Sequence, residues 1–131
     1  MASIRKEILV DASPQHCWDV VRDVGALHTR LVPGFVTDTR LEEGARVVTF
    51  GNGMVARELI VDLDDEAHRL VWSVVGGRMT HHNASVQVFS EGAGASRLVW
   101  IADLLPNEIA PDIRAMIDHA ARVMKPTLER G

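Results

Sequence analysis

Apolar and polar positions alternate along most of this chain, and the period changes in only two places. Ile4, Lys6 and Ile8 share one face of a first strand and Arg5, Glu7 and Leu9 the other, with Val10 following. Asp11-Ala12-Ser13-Pro14 stops that strand. Ser13 as N-cap with Pro14 at the first helical position predicts a helix to about Asp23. It buries Cys17, Val20 and Val21, with Trp18 a further candidate. Gly25 breaks it, a second short helix covers Ala26 to Leu31, and Pro33-Gly34 turns the chain into strands.

Six strands follow: Phe35–Leu41, Ala45–Asn52, Met54–Leu63, Arg69–Val75, His81–Ser90 and Arg97–Leu104. Their joints are Glu43-Gly44, Asn52-Gly53, Asp64-Asp65-Glu66, Gly76-Gly77 and Glu91-Gly92-Ala93-Gly94. Asn-Gly is the clearest hairpin signal among them. After Pro106 the period becomes helical. Ile109, Ile113, Met116, Ile117, Ala120 and Met124 fall on one stripe, while Asp112, Arg114, Asp118 and Arg122 face away. Pro126 is expected to kink or fray the last turn. The chain has no repeat and no linker, so residues 1–131 read as one domain. The predicted class is α+β: a seven-stranded antiparallel sheet curled around a long C-terminal helix, with two short helices after the first strand.

Composition narrows the function. The chain has 131 residues, is 47% hydrophobic and 24% charged, and carries a net charge of -4. Its 14 Lys and Arg are scattered, which argues against a nucleic-acid surface. No apolar run reaches a membrane span, and the first seven residues do not resemble a signal peptide. With one cysteine, Cys17, no internal disulfide can form; a cytoplasmic protein, monomeric or weakly dimeric, is expected.

Some residues do not suit a dry core. Glu58 sits between Met54-Val55-Ala56 and Leu59-Ile60-Val61, and His82 shares a strand face with Ala84, Val86 and Val88. A buried charge is costly unless it is paired or wet, so this face suits a cavity that holds water or ligand. Alternation alone leaves Glu58 free to point inward with Ile60 or outward into solvent. His82 reads either as an acid/base or hydrogen-bonding group or as a polar strand end. His81 and His82 are adjacent on a strand and so face opposite ways, and no His-x-His or cysteine pair exists; neither a metal nor a cofactor is expected. Cys17 reads as an inert buried thiol, without an activating motif around it.

Several motifs occur in a fixed order. Ala12-Ser13-Pro14 leads into Cys17-Trp18-Asp19-Val20-Val21-Arg22-Asp23. Gly44-Ala45-Arg46, Gly53, Arg57-Glu58-Leu59, Leu63-Asp64-Asp65-Glu66 and Leu70-Val71-Trp72-Ser73-Val74-Val75-Gly76-Gly77 come after it. This set resembles the START-like helix-grip superfamily, also called SRPBCC. That superfamily includes birch-pollen-allergen-like proteins, bacterial polyketide cyclase/dehydrase-like proteins and plant abscisic-acid receptors. The resemblance covers nearly the whole chain and implies a cavity for an apolar or amphipathic small molecule between the sheet and the last helix. In receptor-like members the Glu of Arg-Glu-Leu, the aromatic four residues before Gly-Gly and an aromatic in the next strand point into the cavity. The matching positions here are Glu58, Trp72 and His82. The resemblance also implies Arg46 near Glu58, with Arg30 the nearest match to a basic pocket residue before strand two. The receptors' gating turn is replaced here by Gly51-Asn52-Gly53-Met54 and their latch by Arg78-Met79-Thr80, so the hormone-receptor role does not carry over.

The predicted lining is Glu58, Trp72, Val74, His82, Ala84 and Trp100 from the sheet, with Met116, Ala120 and Met124 from the helix. Two functions fit it. One is a binding protein for a polyketide-, lipid- or terpenoid-like molecule, with Glu58, His82, Arg46 and Arg30 as its polar groups. The other is a polyketide cyclase/dehydratase-type enzyme in which Glu58 or His82 moves a proton. A Glu58 held by an arginine favours the first, and a Glu58 free beside His82 favours the second. A partner-binding module would need an exposed apolar rim, for which Met54, Met79 and Val32 are the candidates.

Overall fold

The computed structural model describes residues 1–131. Strand β1 (Ala2–Val10) leads into helix α1 (Pro14–Val21), a 3-10 turn (Val24–Ala26) and a π-helical turn (Leu27–Leu31). Strands β2 (Val36–Glu42), β3 (Ala45–Phe50), β4 (Val55–Asp64), β5 (Arg69–Val75), β6 (His81–Ser90) and β7 (Ser96–Leu105) follow. A 3-10 turn (Asn107–Ile109) then opens helix α2 (Ala110–Arg130). All strands join one antiparallel sheet in the order β1-β7-β6-β5-β4-β3-β2. This is an α+β helix-grip fold.

The strand order dictates the rest of the architecture. β1 pairs with β7 over nine residues, from Ala2 opposite Leu104 to Val10 opposite Ser96. β2 lies at the other edge, so residues 11–35 must cross the width of the sheet. The crossing segment carries α1 and the two short turns. The Ser13 hydroxyl accepts the His16 N–H, capping α1 at Pro14. The indole N–H of Trp18 donates to Asp65 Oδ1 at 2.9 Å and Arg22 Nε donates to the same oxygen at 2.7 Å, docking α1 on the β4–β5 turn. Cys17 is sealed in the core, and burial pushes its thiol pKa up.

Helix α2 covers the same face of the sheet. Ile117, Ala120, Ala121, Met124 and Leu128 are buried along it, whereas Ile113 and Met116 are half-buried. Asp118, expected to face away, is half-buried and pairs with Lys6 at 3.1 Å. The expected fraying at Pro126 does not occur, because the helix runs through to Arg130. The last turn is held from outside: Leu128 is fully buried, Lys125 Nζ donates to the Leu9 carbonyl at 2.6 Å, and the Asp11 N–H donates to Glu129 at 2.8 Å. These anchors offset the backbone hydrogen bond that proline removes.

The strand boundaries fall within two residues of the sequence expectation. The main irregularity is a bulge in β4 between Ile60 and Asp62, which leaves Val61 exposed and returns Leu63 to the inner face. Gly51 shows where backbones approach closely: a Cβ there would lie 2.5 Å from the Gly34 carbonyl oxygen. The start of β2 is thereby clamped to the end of β3, with the Gly51 N–H donating to the Phe35 carbonyl at 2.8 Å.

Candidate ligand-binding cavity

The cavity follows from register. Arg46 on β3 pairs with Glu58 on β4, and Glu58 pairs with Val74 on β5. His82 on β6 pairs with Leu104 on β7. Partners directly opposite on a sheet share a face. Arg46, Glu58 and Val74 therefore make one row on the side that α2 covers, and His82, whose ring meets the Val74 N–H, continues it. The next row holds Ile60, Trp72, Ala84, Ala102 and Ile4. Beyond it Leu70, Val86 and Trp100 make a third.

Between this face and α2 lies a cavity of about 450 Å³. Of the 32 residues lining it 25 are hydrophobic, so its few polar groups are confined to particular places. Glu58, Arg46, Trp72, Val74, His82, Trp100, Met116, Ala120 and Met124 all line it. Glu58 thus points inward, and its neighbour Arg57 points outward and pairs with Glu42 at 3.0 Å. Arg46 Nε donates to Glu58 Oε1 at 2.8 Å, with the two side chains 4% and 8% exposed. Arg46 Nη1 also reaches the Val24 carbonyl at 3.4 Å, and its guanidinium carbon lies 5.7 Å from the Trp72 ring centre.

Glu58 Oε2 and Arg46 Nη2 have no partner within the chain. The one sealed side-chain polar atom without a partner is Trp100 Nε1, so the other two atoms open on the cavity. Trp100 packs near Trp72, with ring centres 6.1 Å apart. His82 is buried, and its Nδ1 accepts the Val74 N–H at 3.0 Å. Burial, and secondarily the neighbouring His81, pushes its pKa down to about 4, so the ring is neutral at neutral pH. His81 is exposed on the opposite face.

Two expected lining residues lie elsewhere. Ala84 does not reach the cavity: its methyl is sealed in the core, in register between Trp72 and Ala102. Arg30 lies on the surface. The π-helical turn buries Leu31 and turns Arg30 outward, where it pairs with Asp23 at 2.8 Å. The supposed apolar rim also changes. Val32 is a core residue, and the exposed apolar side chains near the mouth are Met54, Val55 and Val75.

The sequence reading missed the wall near β2. Phe35 and Phe50 pack edge to face at 5.6 Å there, and Leu27 and Leu31 join them from the crossing segment. A signal was available, since each phenylalanine adjoins a glycine that allows the close crossing, Gly34 and Gly51. Across the mouth, Arg78 Nη1 meets Asp112 Oδ2 at 3.2 Å. This ion pair ties the Gly76–Gly77 turn, whose φ angles are 87° and 66°, to the first turn of α2. No helix is long and apolar enough to cross a membrane.

Comparison with known proteins places this geometry in a family. The family described as "Polyketide cyclase / dehydrase and lipid transport" matches residues 1–131. The chain belongs to that family. No curated protein matches it. Among solved structures, a solution structure of a Thermobifida fusca protein has 26% identity and a TM-score of 0.81, covering 98% of this chain and 91% of that one. A START superfamily protein from Mycobacterium smegmatis shares the fold at 12% identity and a TM-score of 0.76, covering 98% of this chain and 97% of that one. The di-domain ARO/CYC protein BexL, from the BE-7585A biosynthetic pathway, does so at 18% identity and a TM-score of 0.74. The match to BexL spans 99% of this chain and 46% of that one.

Proposed function

We propose that this protein binds an apolar or amphipathic small molecule, polyketide-, lipid- or terpenoid-like, in the cavity between sheet and α2. The observation that carries the reading is the Arg46–Glu58 pair, buried at 2.8 Å inside a predominantly hydrophobic cavity. A desolvated charge pair with one free carboxylate oxygen and one free guanidinium nitrogen orients a polar end, while the apolar walls hold a hydrophobic body. The volume, about 450 Å³, falls within the range of about 300–1,000 Å³ common for small-molecule sites. The family description names both cyclase/dehydrase chemistry and lipid transport. Binding without turnover is favoured because Glu58, the candidate base, is already held by Arg46, whose Nε donates to its Oε1 at 2.8 Å.

Ala120 is buried on α2 and faces the cavity. Ala120→Trp is expected to fill the space, leaving the circular-dichroism spectrum intact while an environment-sensitive naphthalene fluorophore no longer binds. If the variant bound the fluorophore as well as the parent does, the site would lie elsewhere.

A further inference from the structure

The ladder between β5 and β6 runs from Arg69 opposite Gln87 to Trp72 opposite Ala84 and then stops. Its regular continuation would set Val74 opposite His82 and pair their backbones. Side chains make those links instead. The Val74 N–H donates to His82 Nδ1 at 3.0 Å, and the Ser73 hydroxyl donates to the His82 carbonyl. An amide N–H can only donate, so Nδ1 must present its lone pair, and the proton of the neutral ring must sit on Nε2. Nε2 has no acceptor in the chain, and His82 lines the cavity.

We propose that His82 is a fixed-tautomer hydrogen-bond donor and that the ligand it selects carries a carbonyl oxygen on its apolar body. Resting on the binding function proposed above, this names the ligand's polar chemistry. Nε2 has no lone pair to take a proton, and the Nδ1 lone pair is covered by Val74, so His82 donates and does not act as a base. The ring is uncharged and Arg46 is already matched by Glu58, so no net positive charge awaits a carboxylate. A neutral oxygen acceptor suits the site better. Val74 is directly opposite Glu58, and the His82 ring stands on the Val74 N–H. Donor and carboxylate thus stand on strands two apart in the sheet, with about 10 Å between their backbones. A hydroxyl or amine further along the same frame would reach Glu58 Oε2. The ligand class is a hydroxy- or amino-substituted ketone with a hydrophobic frame.

Two probes test this: a propionyl-substituted dimethylaminonaphthalene, which is a ketone, and the same fluorophore without the acyl group. Wild type is expected to bind the ketone more tightly. His82→Asn keeps an acceptor for the Val74 N–H but withdraws the donor from the cavity. It is expected to weaken the ketone about fivefold to tenfold and leave the acyl-free probe unchanged. His82→Gln, whose amide reaches the Nε2 position, should recover most of the loss. Nitrogen-15 NMR of the wild-type imidazole should show the proton on Nε2 throughout. A proton on Nδ1, or a ketone affinity indifferent to His82→Asn, would overturn the proposal. If neither probe bound wild type, the binding function itself would fail.

Discussion

Arg46 and Glu58 stand directly opposite each other on β3 and β4, with Nε 2.8 Å from Oε1, and both are shielded from bulk water. Removing one partner strands the other. Arg46→Met is expected to destabilise the protein by about 3 kcal/mol, read from urea unfolding. Adding Glu58→Leu to that variant should restore most of the loss, because no uncompensated charge is then left. A double variant as unstable as the sum of the two single changes would show that the pair is not coupled.

His82 makes stability depend on pH. Its ordinary pKa is 6.5, and in the folded protein burial pushes it to about 4. Between those values the unfolded chain binds a proton that the folded chain refuses. The contribution is therefore fully present above pH 6.5 and is lost as pH falls toward 4, by on the order of 3 kcal/mol. Glu129 and Asp65 are held below their ordinary values of 4.5 and 3.8, Glu129 chiefly by the Asp11 N–H and Asp65 chiefly by Arg22, so their losses come at lower pH. Urea midpoints at pH 7 and pH 5 should differ clearly in wild type and much less in His82→Gln. Equal differences in the two proteins would assign the dependence to other groups.

The Arg78–Asp112 pair lies in solvent, with side chains 68% and 67% exposed. Asp112→Asn should therefore change stability by no more than about 0.5 kcal/mol. The pair spans the cavity mouth, so its loss is expected to speed both association and dissociation of the ketone fluorophore in stopped-flow mixing, with affinity little altered. Unchanged rates would show that the mouth opens without breaking this contact.

Strand alternation and the α2 stripe were legible in the sequence because each element buries one face, and burial writes its period directly into the residues. The parts that depend on more than one element were not legible. Arg30 looked like a pocket residue until the π-helical turn buried Leu31 and turned it toward Asp23. Ala84 alternates correctly, but its methyl is sealed between Trp72 and Ala102 and never reaches the cavity. Pro126 was expected to kink or fray the last turn, and contacts from β1, Asp11 and α1 hold the helix through to Arg130. The tautomer of His82 depends on a backbone group eight residues away, Val74. Glu58 was ambiguous by alternation alone; the family resemblance implied the inward direction, and in the structure it points inward with Arg46 directly across from it.

Helix α2 is fastened at one end. Its last turns carry Leu128, the Lys125 and Glu129 contacts and the His16 ring, whose Nε2 lies 3.2 Å from the Leu128 carbonyl oxygen. Its first turns carry half-buried Ile113 and Met116 beside exposed Ala115, over the open part of the cavity. Amide hydrogens should exchange in the same gradient, slowest near Leu128 and fastest near Ala115. The side chains that hold the chain folded are largely not those at the mouth. Substitutions there can accumulate without threatening the fold, which leaves this scaffold free to change its guest while keeping its shape.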